Sequence, residues 1–293
     1  MNKTQTISGF TIVRNASILE YPFRESVLSV LPLCDEFIIN CGESDDDTVE
    51  IVQQLAQEFP DKIKPIFTKW SRENQSGGFQ LKKQSDLALQ MAKGDWCFYI
   101  QADELIHEAD HESILKAIEQ ASLKPEVDGI LFDYLHFYGN FSYQIEGRNW
   151  YRKEVRAFKN HRGIEAFRDA QGFRKNGNRV SVIPSGARVF HYGYVRTSES
   201  LRKKALQMAQ WWGEKISNSP DSFLLKKHVG LSLFTGSHPQ WMKDKIAENS
   251  KYCDPTQGKR VWDKDEIKNA ITLVWESVVP YRIGEFRNYE LVL

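Results

Sequence analysis

Gly94-Asp95-Trp96-Cys97-Phe98-Tyr99-Ile100-Gln101-Ala102-Asp103-Glu104 is the stretch that sets the architecture. Before it, Leu81, Leu87, Ala88 and Met91 recur with helical spacing across residues 81–93, and Gly94 suits the C′ position of that helix. Residues 96–100 are then apolar on both alternating faces, which suits a strand buried on both sides of a sheet. Two adjacent acids stand where the apolar run ends. In open α/β sheets, ligands bind in the crevice outside the carboxyl ends of the strands. Two hard oxygen ligands there suit Mg²⁺ or Mn²⁺, and such a metal suits a diphosphate. The stretch therefore predicts an enzyme acting on a nucleotide-linked substrate.

Working outward, residues 7–13 read as a first strand ending at Arg14-Asn15. Residues 21–31 follow as a helix, with Pro22 in its first turn and Pro32 closing it. Residues 36–40 form a second apolar strand that runs into an acidic loop, Cys41-Gly42-Glu43-Ser44-Asp45-Asp46-Asp47-Thr48. An amphipathic helix over 48–59, a strand over 64–67 and a polar loop over 71–78 lead back to the helix at 81–93. Strand alternating with helix predicts a mostly parallel, doubly wound α/β sheet. The second half reads as strands at 129–136, 155–159 and 189–194, with an Asn176-Gly177 turn. From Ser198 the chain turns helical, with Leu201, Ala205, Met208 and Trp212 on one stripe, and residues 228–293 are rich in Trp and Tyr. This divides the chain into a catalytic unit over 1–197, with a nucleotide half at 1–106 and an acceptor half at 107–197. A helical, aromatic-rich extension over 198–293 follows.

The 293 residues suffice for a sizeable core. Basic and acidic residues balance at 39 each, so no global charge marks a nucleic-acid binder. Cys34, Cys41, Cys97 and Cys253 form no Cys-x-x-Cys pair, and a reduced, cytoplasmic setting is expected. The first eight residues lack a signal-peptide apolar region, and no apolar run is long enough to span a bilayer. Association with the inner face of a membrane stays open.

The segment from Lys82-Lys83-Gln84-Ser85-Asp86-Leu87-Ala88-Leu89 through Gly94-Asp95-Trp96 to Gln101-Ala102-Asp103-Glu104 resembles family 2 glycosyltransferases of the GT-A fold. The strand ends at Val13-Arg14-Asn15 and at residues 40–48 also resemble that family. The likeness covers the first half well and the second half loosely. It implies a Rossmann-like, mostly parallel sheet flanked by helices. It also implies metal-assisted, inverting transfer of a sugar from a nucleotide-sugar donor, UDP-linked or GDP-linked, to a glycan or lipid-linked acceptor. Assembly of bacterial surface polysaccharide or lipopolysaccharide is the setting it suggests.

The resemblance also assigns roles. Asp103 aligns with the acid that ligates the metal, Glu104 stands beside it, and His191 at a late strand end is a further candidate ligand. Arg14, Asn15, Asn40 and Glu43 fall in the donor corner. Lys83, Gln101 and Arg196 complete the expected donor contacts. Gln101 replaces the motif's usual first Asp, and Asn40 replaces an Asp; both keep hydrogen bonding and lose a charge. An inverting transfer needs a carboxylate to take the acceptor's proton. Asp169 is the expected base and Glu165 the alternative. Trp150, Tyr151, Trp211 and Trp212 are aromatic candidates for stacking on a sugar, with Trp212 favoured as core.

Two other readings stand beside this one. A non-catalytic nucleotide-sugar or glycan-binding relative would share the fold. His107-Glu108-Ala109-Asp110-His111 matches the zinc-hydrolase pattern His-Glu-x-x-His. Asp110 reads as an N-cap, however, which would set the two histidines on either side of a helix start.

Overall fold

The computed structural model describes residues 5–71, 77–212, 225–279, 282 and 287–292. The loop expected over 71–78 lies largely outside the described residues. The nucleotide half alternates as expected: β1 (Ile7–Val13), α1 (Phe23–Val30), β2 (Glu36–Gly42), α2 (Thr48–Glu58), β3 (Ile63–Thr68), α3 (Phe79–Gln90) and β4 (Trp96–Tyr99). β5 (Glu104–Ile106) and α4 (His111–Ser122) follow. The second half adds β6 (Gly129–Tyr138), β7 (Tyr143–Ile145), β8 (Lys153–Lys159), β9 (Ile164–Phe167), β10 (Gly172–Lys175) and β11 (Val180–Tyr194). The tail holds α5 (Ser198–Trp212), β12 (Leu231–Leu233), α6 (Lys243–Ala247), α7 (Lys264–Val278) and β13 (Tyr289–Leu291).

The fold is a mixed α/β sheet flanked by helices. β3, β2, β1 and β4 pair in parallel, in that spatial order. Antiparallel β8 continues the sheet from β4, and β6 pairs with β8. β11 runs parallel to β6 and also pairs with β5 and β13, while β12 extends the edge at β7. Two strands of the tail thus enter the sheet. Close strand packing explains Gly9: a Cβ there would lie 2.2 Å from the Phe37 ring. Helices cover the sheet with spaced apolar faces, as α4 does with Ile114, Ala117, Ile118 and Ala121.

Two local expectations change. Gly94 is not at the C′ position, because α3 ends at Gln90 with Met91 as its C-cap. Gly94 instead lets Ser8 approach: its Cβ would sit 2.7 Å from the Ser8 amide nitrogen. On α5 the buried Ser200 and Trp211 share a face turned by about one residue from the expected stripe, and Ala209 is buried on the opposite side. Trp211 is 2% exposed, and Trp212 is only half-buried. Asn176 and Gly177 both take positive φ, as a tight turn requires.

Glu154 on β8 is buried and accepts a hydrogen bond from Gln171 Nε2 (2.8 Å). Burial pushes its carboxyl up to about 7, although Arg156 and Gln171 pull the other way. The folded protein therefore holds this proton more tightly than the unfolded chain does. The penalty for ionising it grows as pH rises from the ordinary carboxylate range to about 7, then stays constant. Glu154→Gln should add about 2 kcal/mol of stability near pH 8.5 and almost nothing near pH 4. Urea unfolding at both pH values checks this; an equal effect at both would contradict it.

Candidate active site

The carboxyl ends of β1 and β4 open into a cleft of about 420 Å³, the position where parallel sheets bind ligands. Arg14, Gln101, Asp103, Asp169 and His191 line it. Its walls are aromatic, with Tyr21, Trp70, Trp150, Tyr151, Tyr194 and Trp211. Trp70 and Trp211 meet edge to face at 5.8 Å, and the Arg14 guanidinium lies 5.9 Å from the Trp211 ring centroid. Gly42 lets Trp70 in, since a Cβ there would sit 2.7 Å from the indole.

Asp103 is the electrostatic centre of the cleft. Its Oδ2 accepts from Lys204 Nζ (3.0 Å) and Arg196 Nη2 (3.2 Å) and lies 3.8 Å from His191 Nε2. Burial alone would raise this carboxyl, but the positive charges of Lys204 and Arg196 outweigh it and hold it well below the usual carboxylate range. The same burial pulls the Lys204 ammonium down to about 8, against the pull of Asp103. Lys204 is a site residue that the sequence reading missed. It shares the inner face of α5 with Ser200 and Trp211, so the correct helical phase would have found it.

The histidines define a proton pattern. His136 Nε2 lies 2.7 Å from the Tyr151 carbonyl, which can only accept, so Nε2 carries the proton. Burial lowers His136 to about 4, so its Nδ1 is an acceptor. His191 Nδ1, 2.9 Å away, must then donate to it. Burial also keeps His191 neutral, despite Asp103, so its Nε2 holds a bare lone pair. That lone pair and the Asp103 carboxylate face each other with no proton between them. A Cβ on Gly193 would close this space, standing 2.5 Å from His191 Nε2 and 3.1 Å from Asp103 Oδ2. The pair fits Mg²⁺ or Mn²⁺, which commonly takes one or two protein ligands and completes its shell with phosphate oxygens and water. His136 fixes the His191 tautomer as a ligating histidine needs. Lys204 and a metal ion would compete for the same carboxylate oxygen.

Glu104 does not belong to this centre. Arg156 Nε and Nη2 donate to its two oxygens (2.9 and 2.7 Å), and Tyr134 OH donates to Oε1 (2.8 Å). Both members of the ion pair are fully buried. Adjacent residues entering a strand point to opposite sides, so only Asp103 faces the cleft.

The other expected residues divide in the same way. Asp169 lines the cleft between two non-glycine residues of positive φ, Arg168 (56°) and Ala170 (61°). Such strained backbone tends to cluster at functional sites. Gly78 makes room for it, since a Cβ there would sit 2.7 Å from Asp169 Cα. Burial raises the Asp169 carboxyl above its ordinary value. Glu165, by contrast, is bound by Lys82 (2.7 Å) away from the cleft lining. Asn40 is a buried strut: its Nδ2 donates to the Gln84 carbonyl (2.8 Å), and its Oδ1 accepts from Thr68 Oγ1 (2.6 Å). Asn15 braces the acidic loop through Asp45, and Glu43 offers its carbonyl to Arg14 Nε (2.7 Å). Lys83 is outside the cleft lining, and Arg196 stands behind it as the partner of Asp103. His107 meets Ser237, whereas His111 faces the Ser29 carbonyl from the start of α4. The two histidines therefore do not converge on one metal. Among the described residues, no group of three or more His, Cys, Asp or Glu side chains does so either.

The model of glycosyl transferase family 2 matches residues 22–176, more than half of the chain, including β4 and the Asp103 corner. The chain belongs to glycosyl transferase family 2. This is the family that the segment ending at Asp103-Glu104 resembles. It is similar at low identity to several solved structures. The first 349 residues of Staphylococcus aureus TarS in complex with UDP show 20% identity and a TM-score of 0.34, over 46% of this chain and 37% of that one. A mannosyltransferase from Pyrobaculum calidifontis in complex with GDP-Man and Mn²⁺ shows 19% and 0.33, over 43% and 34%. S. aureus TarS shows 16% and 0.41, over 75% and 42%. The chain thus spans less than half the length of each of these three. No curated protein matches it.

Proposed function

We propose that the chain is a metal-assisted, inverting glycosyltransferase that takes its sugar from a nucleoside diphosphate sugar, with UDP-linked donors first. The arrangement of Asp103, His191, Arg196 and Lys204 at the strand ends carries this reading. The bound metal would offset negative charge on the departing diphosphate. Asp103 and His191 would hold that metal, and Lys204 and Arg196 add positive charge beside it. Trp70 and Trp211 supply stacking faces, with Arg14 at hand for an anionic oxygen.

Asp169 is the base. It takes the proton from the acceptor hydroxyl as that oxygen attacks the anomeric carbon and the bond to the diphosphate breaks. Burial raises its proton affinity, which suits that role. The acceptor is a glycan or lipid-linked sugar, met by the aromatic side of the cleft at Trp150 and Tyr151. Surface-polysaccharide assembly at the cytoplasmic face of a membrane remains the proposed setting. So does the division at residue 197 into a catalytic unit and an extension.

Asp169→Asn should slow release of nucleoside diphosphate from the donor by about 10²–10⁴-fold and leave donor affinity unchanged. Steady-state turnover together with equilibrium donor binding tests this. A variant that turns over like the wild type would remove Asp169 from the reaction.

A further inference from the structure

Helix α7 is amphipathic in the reverse sense. Its polar side chains face the body of the protein. Glu266 accepts from the Val229 amide and pairs with His228 (3.1 Å), and Asn269 Oδ1 accepts from the Arg148 amide (2.6 Å). Glu276 accepts from Arg282 Nε (2.9 Å). The apolar residues point outward: Ile267, Ile271, Val274, Trp275 and Val278 are 46, 66, 70, 46 and 79% exposed. Their spacing places them on one face. Apolar side chains turned outward while the polar ones turn inward reverse the usual arrangement of a surface helix and mark a binding surface.

We infer that this face lies in the headgroup region of an anionic lipid surface. Three observations select that occupant. Lys264 and Lys268 are exposed and fall on the Trp275 edge of the stripe, at i, i+4 and i+11. Just before the helix, Lys259 and Arg260 are exposed, and the Arg260 guanidinium stands 5.5 Å from the ring of exposed Trp262. An apolar face carrying tryptophan and rimmed by basic residues is the chemistry of a helix lying in a membrane interface. Size also decides against a second copy of the chain. A fifteen-residue helix offers a strip about 22 Å long and about 10 Å wide, far short of the roughly 800 Å² per partner of a stable dimer. No helix among the described residues is long and apolar enough to cross a membrane, so the contact is one of surface docking. The inference does not depend on the transfer reaction.

The test is sedimentation of the full chain with vesicles of phosphatidylcholine alone, or mixed with an equal part of phosphatidylglycerol. The protein should pellet with the mixed vesicles at least about tenfold more tightly than with the neutral ones, and high salt should weaken the binding. Ile271→Asp with Val274→Asp should abolish binding while leaving the melting temperature unchanged, because both side chains are exposed. Lys264→Glu with Lys268→Glu should remove only the preference for the anionic lipid. Absence of binding to the mixed vesicles, or binding that the aspartate pair leaves intact, overturns the inference. So does a solution dimer of the wild type that the aspartate pair separates, since the face would then belong to a second copy.

Discussion

Asp103→Asn is expected to cut donor turnover by about a thousandfold while the protein stays folded. The substitution keeps the shape and removes the charge that gathers Lys204 and Arg196 beside His191. Lys204 lines the cleft, so without its partner it turns to water or loses a proton. Arg196, fully buried, keeps a hydrogen-bond acceptor but loses its counter-charge, so the stability cost should be about 3–5 kcal/mol. Turnover and thermal unfolding of the same sample read both effects. Wild-type turnover would remove Asp103 from the site, and wholesale unfolding would make its role structural.

Glu104→Gln, one residue on, should cost stability but spare turnover. The substitution leaves Arg156 with its charge unpaired inside the protein, and breaking a buried pair in this way costs about 3–5 kcal/mol. Arg156 also holds the pocket edge, since its Nη1 donates to the Gln171 carbonyl (2.7 Å). Turnover per folded molecule at low temperature should stay close to that of the wild type. Lost turnover with unchanged stability would place Glu104 in the reaction after all.

This contrast shows what the sequence could convey. The apolar runs at β1, β2 and β4 declare buried parallel strands, and their ends declare where a ligand sits. Asp103, Gln101 and Arg14 were therefore legible, whereas Asp169 and His191 rested on the family resemblance; all five line the cleft. Glu104 was misplaced because its partner, Arg156, is 52 residues away on β8, and only the fold brings them together. Asn40 was misplaced for a similar reason: a polar residue inside an apolar strand reads as a ligand contact unless its partners, Gln84 and Thr68, are seen. Lys204 was missed because the α5 stripe was read about one residue out of phase. The strand pairings of the second half depend on contacts distant in sequence, which local pattern does not encode.

The most direct measurement is a thermal-shift series with UDP, GDP, CMP and UDP-sugars, each with and without Mn²⁺, on the wild type and Asp103→Asn. Binding to the native state must raise the melting temperature by mass action. The account predicts that one nucleotide class stabilises the wild type, that Mn²⁺ strengthens the shift, and that Asp103→Asn loses it. No shift with any nucleotide at millimolar concentration, or a shift that Asp103→Asn retains in full, would contradict a donor site at the end of β4.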